Sequence, residues 1–216
     1  MLDIVQAGQA GKTTLLFAMH RFRKRVFKDM MGWDVPVIND GELEVDDFDL
    51  PHALYLLALS PAGDVTGSMR LLPTDGPTMI RNVWPESLQH IALPSDPKIW
   101  EISRFAVDCG DVKSVGSLAR VNPVTQELFC GLVELCLLCG VQKVVALYDT
   151  KISQIHKWLN CAPEAATPPF PVQGGMAQVG IFRTDLPALE RLRRAAGMTR
   201  TLITAAQLPP LFLTHR

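Results

Sequence analysis

Three strand-like runs, 53–60, 65–73 and 99–108, fall close together, and two of them carry full charges inside apolar sequence. ALYLLALS and VTGSMRLLP are separated only by the turn-forming PAGD, which predicts an antiparallel hairpin. IWEISRFAVD is a further strand. Arg70 in the second run, and Glu101 and Arg104 in the third, sit where the neighbouring residues look buried. A buried ion is rare unless it is paired or functional. Any fold of this chain must therefore bring partners to these strands, and Asp46, Asp49 and Arg23 are the candidates. Two readings are open: a structural salt-bridge cluster that pins an acidic loop to the sheet, or a binding site.

The remaining elements follow from periodicity. Leu2 to Val5 reads as a short strand. Residues 13–31 form one helix, with Leu15, Met19, Phe22, Val26 and Met30 at three- and four-residue spacing. The polar stretch from Gly32 to His52, with Pro36 and Gly41, reads as a loop. A helix over 123–138 opens on proline, and a strand at 143–148 and a helix at 150–159 follow. Prolines 163, 168, 169 and 171 mark a loop, QVGIFRTD is a late strand, and LPALERLRRAAG is a helix ended by Gly197. Neighbouring strands early and helical crossings late predict an α/β (α+β) fold: a three-layer α/β/α sandwich with a mixed central sheet. The length fits one domain over 1–216.

Apolar residues make up 48% of the chain, enough for a substantial core, and 21 basic residues face 22 acidic ones. That balance gives no sign of a nucleic-acid partner. No stretch approaches the roughly 18 uninterrupted apolar residues of a membrane span, and no export signal is visible. Five cysteines, an odd number, suit a reducing cytoplasm. Cys136 and Cys139 form a C-x-x-C inside an apolar helical pattern and are read as core. The five histidines form no spaced cluster, so neither a metal site nor a triad is expected, and no G-x-S-x-G elbow occurs.

AGQAGKTTLL at 7–16 raises a further possibility, since a strand, a glycine turn, Gly-Lys-Thr and a helix is the layout of a phosphate-binding loop. The motif needs a glycine five residues before Gly11, where Gln6 stands. What is left is a strand, a turn and a helix capped by Thr13 or Thr14, with a nucleotide hydrolase, helped by Asp149 at a strand end, kept as a rival.

FRKRVFKDMMGW, GELEVDDFD, SMRLLP and EISRFAVD, in that order, resemble the acyl-homoserine lactone synthases, the autoinducer synthases of bacterial quorum sensing. The matching positions are Arg23, Phe27 and Trp33; Glu44, Asp46, Phe48 and Asp49; Arg70; and Glu101, Ser103, Arg104 and Phe105. The resemblance implies an acetyltransferase-like fold and two substrates, S-adenosylmethionine and an acyl thioester carried by acyl carrier protein or by coenzyme A. The amine attacks the thioester, and the carboxylate then displaces methylthioadenosine to close the lactone. S-adenosylmethionine is a substrate there, so no cofactor is expected.

S-adenosylmethionine presents an ammonium, a carboxylate and a sulfonium, which call for both signs of charge and an aromatic face. Arg23 or Arg104 could hold the carboxylate, Asp46 and Asp49 the cationic side, and Phe27 and Trp33 the sulfonium and adenine, with Arg70 and Trp84 completing the pocket. Trp84 stands where the family usually has phenylalanine. A direct role for Arg23 would make Arg23→Ala inactive with its fold intact. Glu101, between Trp100 and Ile102, is the candidate base, grouped with Ser103 and Arg104. Residues 101 and 104 point to opposite faces of a regular strand, so a shared site needs a bulge between them; otherwise Arg104 is structural.

The resemblance puts the acyl chain among Phe105, Leu132, Val145 and Leu147. Some relatives selective for 3-oxo chains carry threonine at the position of Val145, and valine cannot donate a hydrogen bond, which favours an unsubstituted chain. The region CGDVKSVGSLARVNP lacks a glycine-rich pyrophosphate loop, which favours a carrier-protein donor docked on Lys143, Lys151 and Lys157. A third reading is a non-catalytic member of the fold that only binds S-adenosylmethionine or a partner.

Overall fold

In the computed structural model, which describes residues 1–108, 121–172 and 174–209, the order of elements begins β1 (Leu2–Gln6), α1 (Thr13–Lys24), β2 (Val37–Ile38) and β3 (Leu43–Glu44). It continues through β4 (Leu54–Leu59), β5 (Val65–Pro73), α2 (Met79–Val83), β6 (Ile99–Val107) and α3 (Pro123–Cys139). β7 (Lys143–Asp149), α4 (Ser153–Trp158), β8 (Ala165–Ala166), β9 (Phe170–Val172), β10 (Gly175–Arg183) and α5 (Leu186–Ala196) complete it. The main sheet has the order β1-β4-β5-β6-β7-β10-β8, with β9 also on β10. β6 and β7 run parallel and the other pairs are antiparallel, so the sheet is mixed as the sequence implied.

Alternation along β4 explains its unbroken apolar sequence. Leu54 and Leu56 pack toward α3 with Leu2, Ile4, Met69 and Leu128. Tyr55 and Leu57 pack toward α1 with Val5, Met19, Phe22 and Phe27. Strands covered on both faces lose the polar alternation of a half-exposed sheet. α5 adds Leu189 and Leu192 to a third cluster with Cys130 and Val133 of α3. Two glycines let α3 approach the sheet: a Cβ on Gly67 would meet Leu128 at 2.8 Å, and one on Gly131 would collide with Leu2.

α3 is capped by the Asn122 side chain, which accepts from the Val124 N–H, starts on Pro123 and ends at left-handed Gly140. Asp185 and Gly197 do the same for α5. α1 departs from expectation at both ends. Its N-cap is Lys12 and no side chain caps it, so neither Thr13 nor Thr14 plays that part. Beyond Lys24 it continues as a π-helical turn, Arg25–Met30, which carries Phe27. The acidic loop contains the two-stranded ribbon β2–β3 around a turn with positive φ at Asn39, Asp40 and Gly41. Strands of two residues are too short to leave a periodic signal.

Candidate active site

β6 and β7 pair only as far as Ile102 opposite Ala146, although the strands run on to Val107 and Asp149. Just past the last pair lies a cavity of about 1140 Å³. It draws walls from both faces of the sheet: Phe27, Trp33, Asp46, Met79 and Trp84 on one side, Phe129, Leu132 and Val133 of α3 on the other, with β6 from Glu101 to Phe105 between them.

The charged strand residues meet the acidic loop in one network of three guanidiniums and three carboxylates. Arg23 bonds Glu44 through Nε, and Asp49 at 2.7 and 3.1 Å. Arg70 bonds Asp46 at 2.5 and 3.1 Å, Asp49 at 3.0 Å and the Ser103 hydroxyl at 3.1 Å. Arg104 bonds Glu44 at 2.9 Å and Asp46 at 2.6 Å. Tyr55 adds a hydroxyl donor to Asp49 at 2.8 Å. Burial opposes the Asp49 carboxylate, but Arg23 and then Arg70 more than cancel it and hold the group well below its usual range. Charge is tolerated here because each ion faces its opposite.

The geometric obstacle of 101 and 104 is resolved in β6 itself. Ser68 pairs with Ala106 and Arg70 with Ser103, so Arg104 and Phe105 together oppose Met69 alone. Arg104 has φ +51°, the left-handed conformation of a bulge residue. The bulge brings Glu101 and Arg104 to the same cavity while Arg104 also ties the acidic loop, so the two roles coincide. Arg104 lies 5.8 Å from the centroid of Phe27, which stacks on Trp33 at 5.4 Å with 4° between the planes. Glu101 accepts the backbone N–H groups of Met79 at 2.9 Å and Ile80 at 2.8 Å. Burial raises its carboxyl above the usual range against those two bonds.

A family model described as autoinducer synthase matches residues 9–182, more than half the chain. The chain belongs to the autoinducer synthase family. It is 32% identical over 207 residues to a probable acyl-homoserine-lactone synthase of Sinorhizobium fredii, covering 96% of this chain and 98% of that protein. An acyl-homoserine-lactone synthase of Pseudomonas aeruginosa is 42% identical over 156 residues, 70% of this chain and 75% of that one. Among solved structures, a CoA-dependent acyl-homoserine lactone synthase, BjaI, with SAM and isopentyl-CoA superposes with TM-score 0.77 at 26% identity, covering 93% and 90% of the two chains. The chain is thus an acyltransferase with the acetyltransferase-like fold.

Within this autoinducer synthase the sequence-derived site residues separate into two groups. Phe27, Trp33, Asp46, Trp84, Glu101, Ser103, Arg104, Phe105, Leu132 and Leu147 line the cavity. Arg23 and Arg70 are 0% exposed and stand behind its wall, as does Asp49; they bond Asp49 from both sides and reach Glu44, Asp46 and Ser103 besides. In this structure these three do not line the cavity; Arg23 and Arg70 tie down the loop that carries Asp46, Phe48 and Asp49. Val145 is buried against Ile80 and Val179 and is not among the residues that line the cavity. Lys151 stands at the cavity wall with its side chain 85% exposed, Lys157 is exposed, and Lys143 is paired with Glu164.

Sequence reading missed Met79, whose sulfur lies 3.0 Å from Arg70 Nη2 and 3.4 Å from Arg104 Nη1. It also missed Phe129, Tyr148, His156 and Phe182, cavity residues on four separate elements with no local signal. The Gly-Lys-Thr turn has another use: Lys12 bonds Asp3 at 2.6 Å. No group of histidine, cysteine, aspartate or glutamate able to hold a metal occurs among the described residues. No helix there is long and apolar enough to cross a membrane. Cys136 is buried in the core, in keeping with its apolar neighbours in sequence. Residues 109–120, most of the segment CGDVKSVGSLARVNP, lie outside the described residues.

Proposed function

We propose that the protein makes an N-acyl-L-homoserine lactone from S-adenosylmethionine and an acyl thioester in the cytoplasm, releasing methylthioadenosine, with acyl carrier protein the preferred donor and no separate cofactor. The observation that carries this reading is the cavity's two-sided character: a charged and aromatic end at Arg104, Asp46, Phe27 and Trp33, and an apolar end at Phe105, Phe129 and Leu132, with Glu101 on the strand between them. Such a cavity suits a zwitterionic sulfonium and a hydrocarbon chain at once.

Arg104, the one arginine of the network that lines the cavity, suits the substrate carboxylate. The Phe27–Trp33 stack offers a π face to the sulfonium and adenine. Glu101, directly or through water, takes a proton from the substrate ammonium, and its raised pKa makes it a better base. The freed amine attacks the thioester carbonyl, the N–C bond forms and the thiolate leaves with a proton. A carboxylate oxygen then attacks the γ-carbon, closing the ring as the C–S bond breaks and methylthioadenosine departs.

The donor preference is supported by exposed Lys151 and Lys157, which suit an acidic carrier protein. Steady-state assays with matched acyl carrier protein and acyl-CoA donors, reading lactone by mass spectrometry, test both parts. Lactone from neither donor refutes the activity, and an equal or higher kcat/KM with acyl-CoA refutes the preference.

A further inference from the structure

His156, on α4, is 5% exposed and lines the cavity. Its ring lies edge-on to Tyr148 at 4.7 Å and to Phe182 at 4.9 Å, and tilted against Phe129 at 6.0 Å. Phe129 in turn meets Phe105, the neighbour of Arg104, at 5.7 Å. The imidazole therefore sits two ring-to-ring steps inward from the bulge, in the apolar part of the cavity. Its Nδ1 has no hydrogen-bond partner among the described residues. Proteins leave few buried polar atoms unpaired, because each forfeits its bonds to water. An aromatic ring in this box could have been phenylalanine like its neighbours, so the nitrogen needs its own explanation.

We propose that His156 selects acyl groups that carry an uncharged oxygen, a hydroxyl or a ketone along the chain, through a hydrogen bond to its imidazole. This rests on the reading of the cavity as the acyl site. Burial drives the imidazole pKa down to about 4, so the ring is neutral near pH 7. A neutral imidazole has one N–H and one bare nitrogen. It can donate to a ketone or accept from a hydroxyl, and it offers no charge to a carboxylate. Val145, where a hydroxyl would have served a 3-oxo chain in some relatives, is buried against Ile80 and Val179 and is not among the lining residues. His156 thus supplies a polar contact for the chain from a different element.

The test has two arms. In competition assays with thioesters of equal length, plain, hydroxy-substituted and oxo-substituted, the wild-type enzyme should favour one oxygenated chain by about tenfold in kcat/KM, the discrimination a hydrogen bond in a dry site gives. His156→Phe should bring that ratio close to one. An unaltered ratio in the variant, or wild-type preference for the plain chain, overturns the proposal.

The second arm needs no turnover and covers a variant that fails to fold. Wild-type protein labelled with ¹⁵N-histidine is titrated with plain, hydroxy- and oxo-substituted N-acyl-homoserine lactones. The His156 ring-nitrogen resonances should move with one oxygenated lactone and not with the plain one. An equal response, or none, overturns the proposal. A selective shift in a protein that forms no lactone would uphold the hydrogen bond and sink the synthase reading.

Discussion

Replacing Arg23 with methionine should unfold this protein earlier. The side chain is fully buried against Glu44 and Asp49, whose own side chains are 0% and 4% exposed. Removing one member of a buried ion pair typically costs about 3–5 kcal/mol, because the partner is left charged and dry. Here the partners keep other donors: Glu44 retains Arg104 at 2.9 Å, and Asp49 retains Arg70 at 3.0 Å and Tyr55 at 2.8 Å. The expected loss therefore lies at the low end, about 3 kcal/mol. For a chain of this size that lowers Tm by about 6–12 °C. Calorimetry and a denaturant titration measure it, and lactone synthesis should fall with it because the Asp46 wall moves. A variant that melts within about 2 °C of wild type but has lost affinity for S-adenosylmethionine would refute the structural role and restore Arg23 to direct contact.

Glu101→Gln should cut kcat by about 10²-fold or more, the usual worth of a positioned base; full activity would remove Glu101 from that role. Trp33→Ala, which removes a side chain 38% exposed, should raise KM for S-adenosylmethionine about fivefold through loss of its π face while leaving the melt nearly unchanged; a variant with normal KM would dissociate the stack from binding. Val145→Thr should not create a preference for 3-oxo chains, since position 145 is sealed against Ile80 and Val179; a gain in selectivity would show that the side chain reaches the substrate after all. Stability should fall on acidification between pH 6.5 and 4. His156 has a folded pKa of about 4 against 6.5 unfolded, so the unfolded chain binds the proton first. The contribution is complete above pH 6.5 and amounts to at most about 3–4 kcal/mol. His20, lowered mainly by burial, acts with the same sign, and His156→Phe should flatten the profile measured by denaturant titration.

The sequence by itself determined the long strands and helices and the buried charges that had to find partners, but not α2 or the short strands β2, β3, β8 and β9. The hairpin of β4 and β5, the proline start and glycine end of α3, and the Gly197 stop of α5 are set by contacts within a few residues, so local pattern is enough to read them. Arg70, Glu101 and Arg104 were legible as charges in need of distant partners, because nothing near them in sequence could neutralise them. What only the tertiary structure decided is which charges face substrate. Arg23, Asp49 and Arg70 differ from Arg104 and Asp46 in where they stand relative to the cavity, and that depends on one bulge, with Arg104 at φ +51°, and on where β6 and β7 part. His156 shows the same limit. Its meaning comes from Phe129, Tyr148 and Phe182, which reach it from a helix and two strands, and no spacing along the chain encodes that meeting.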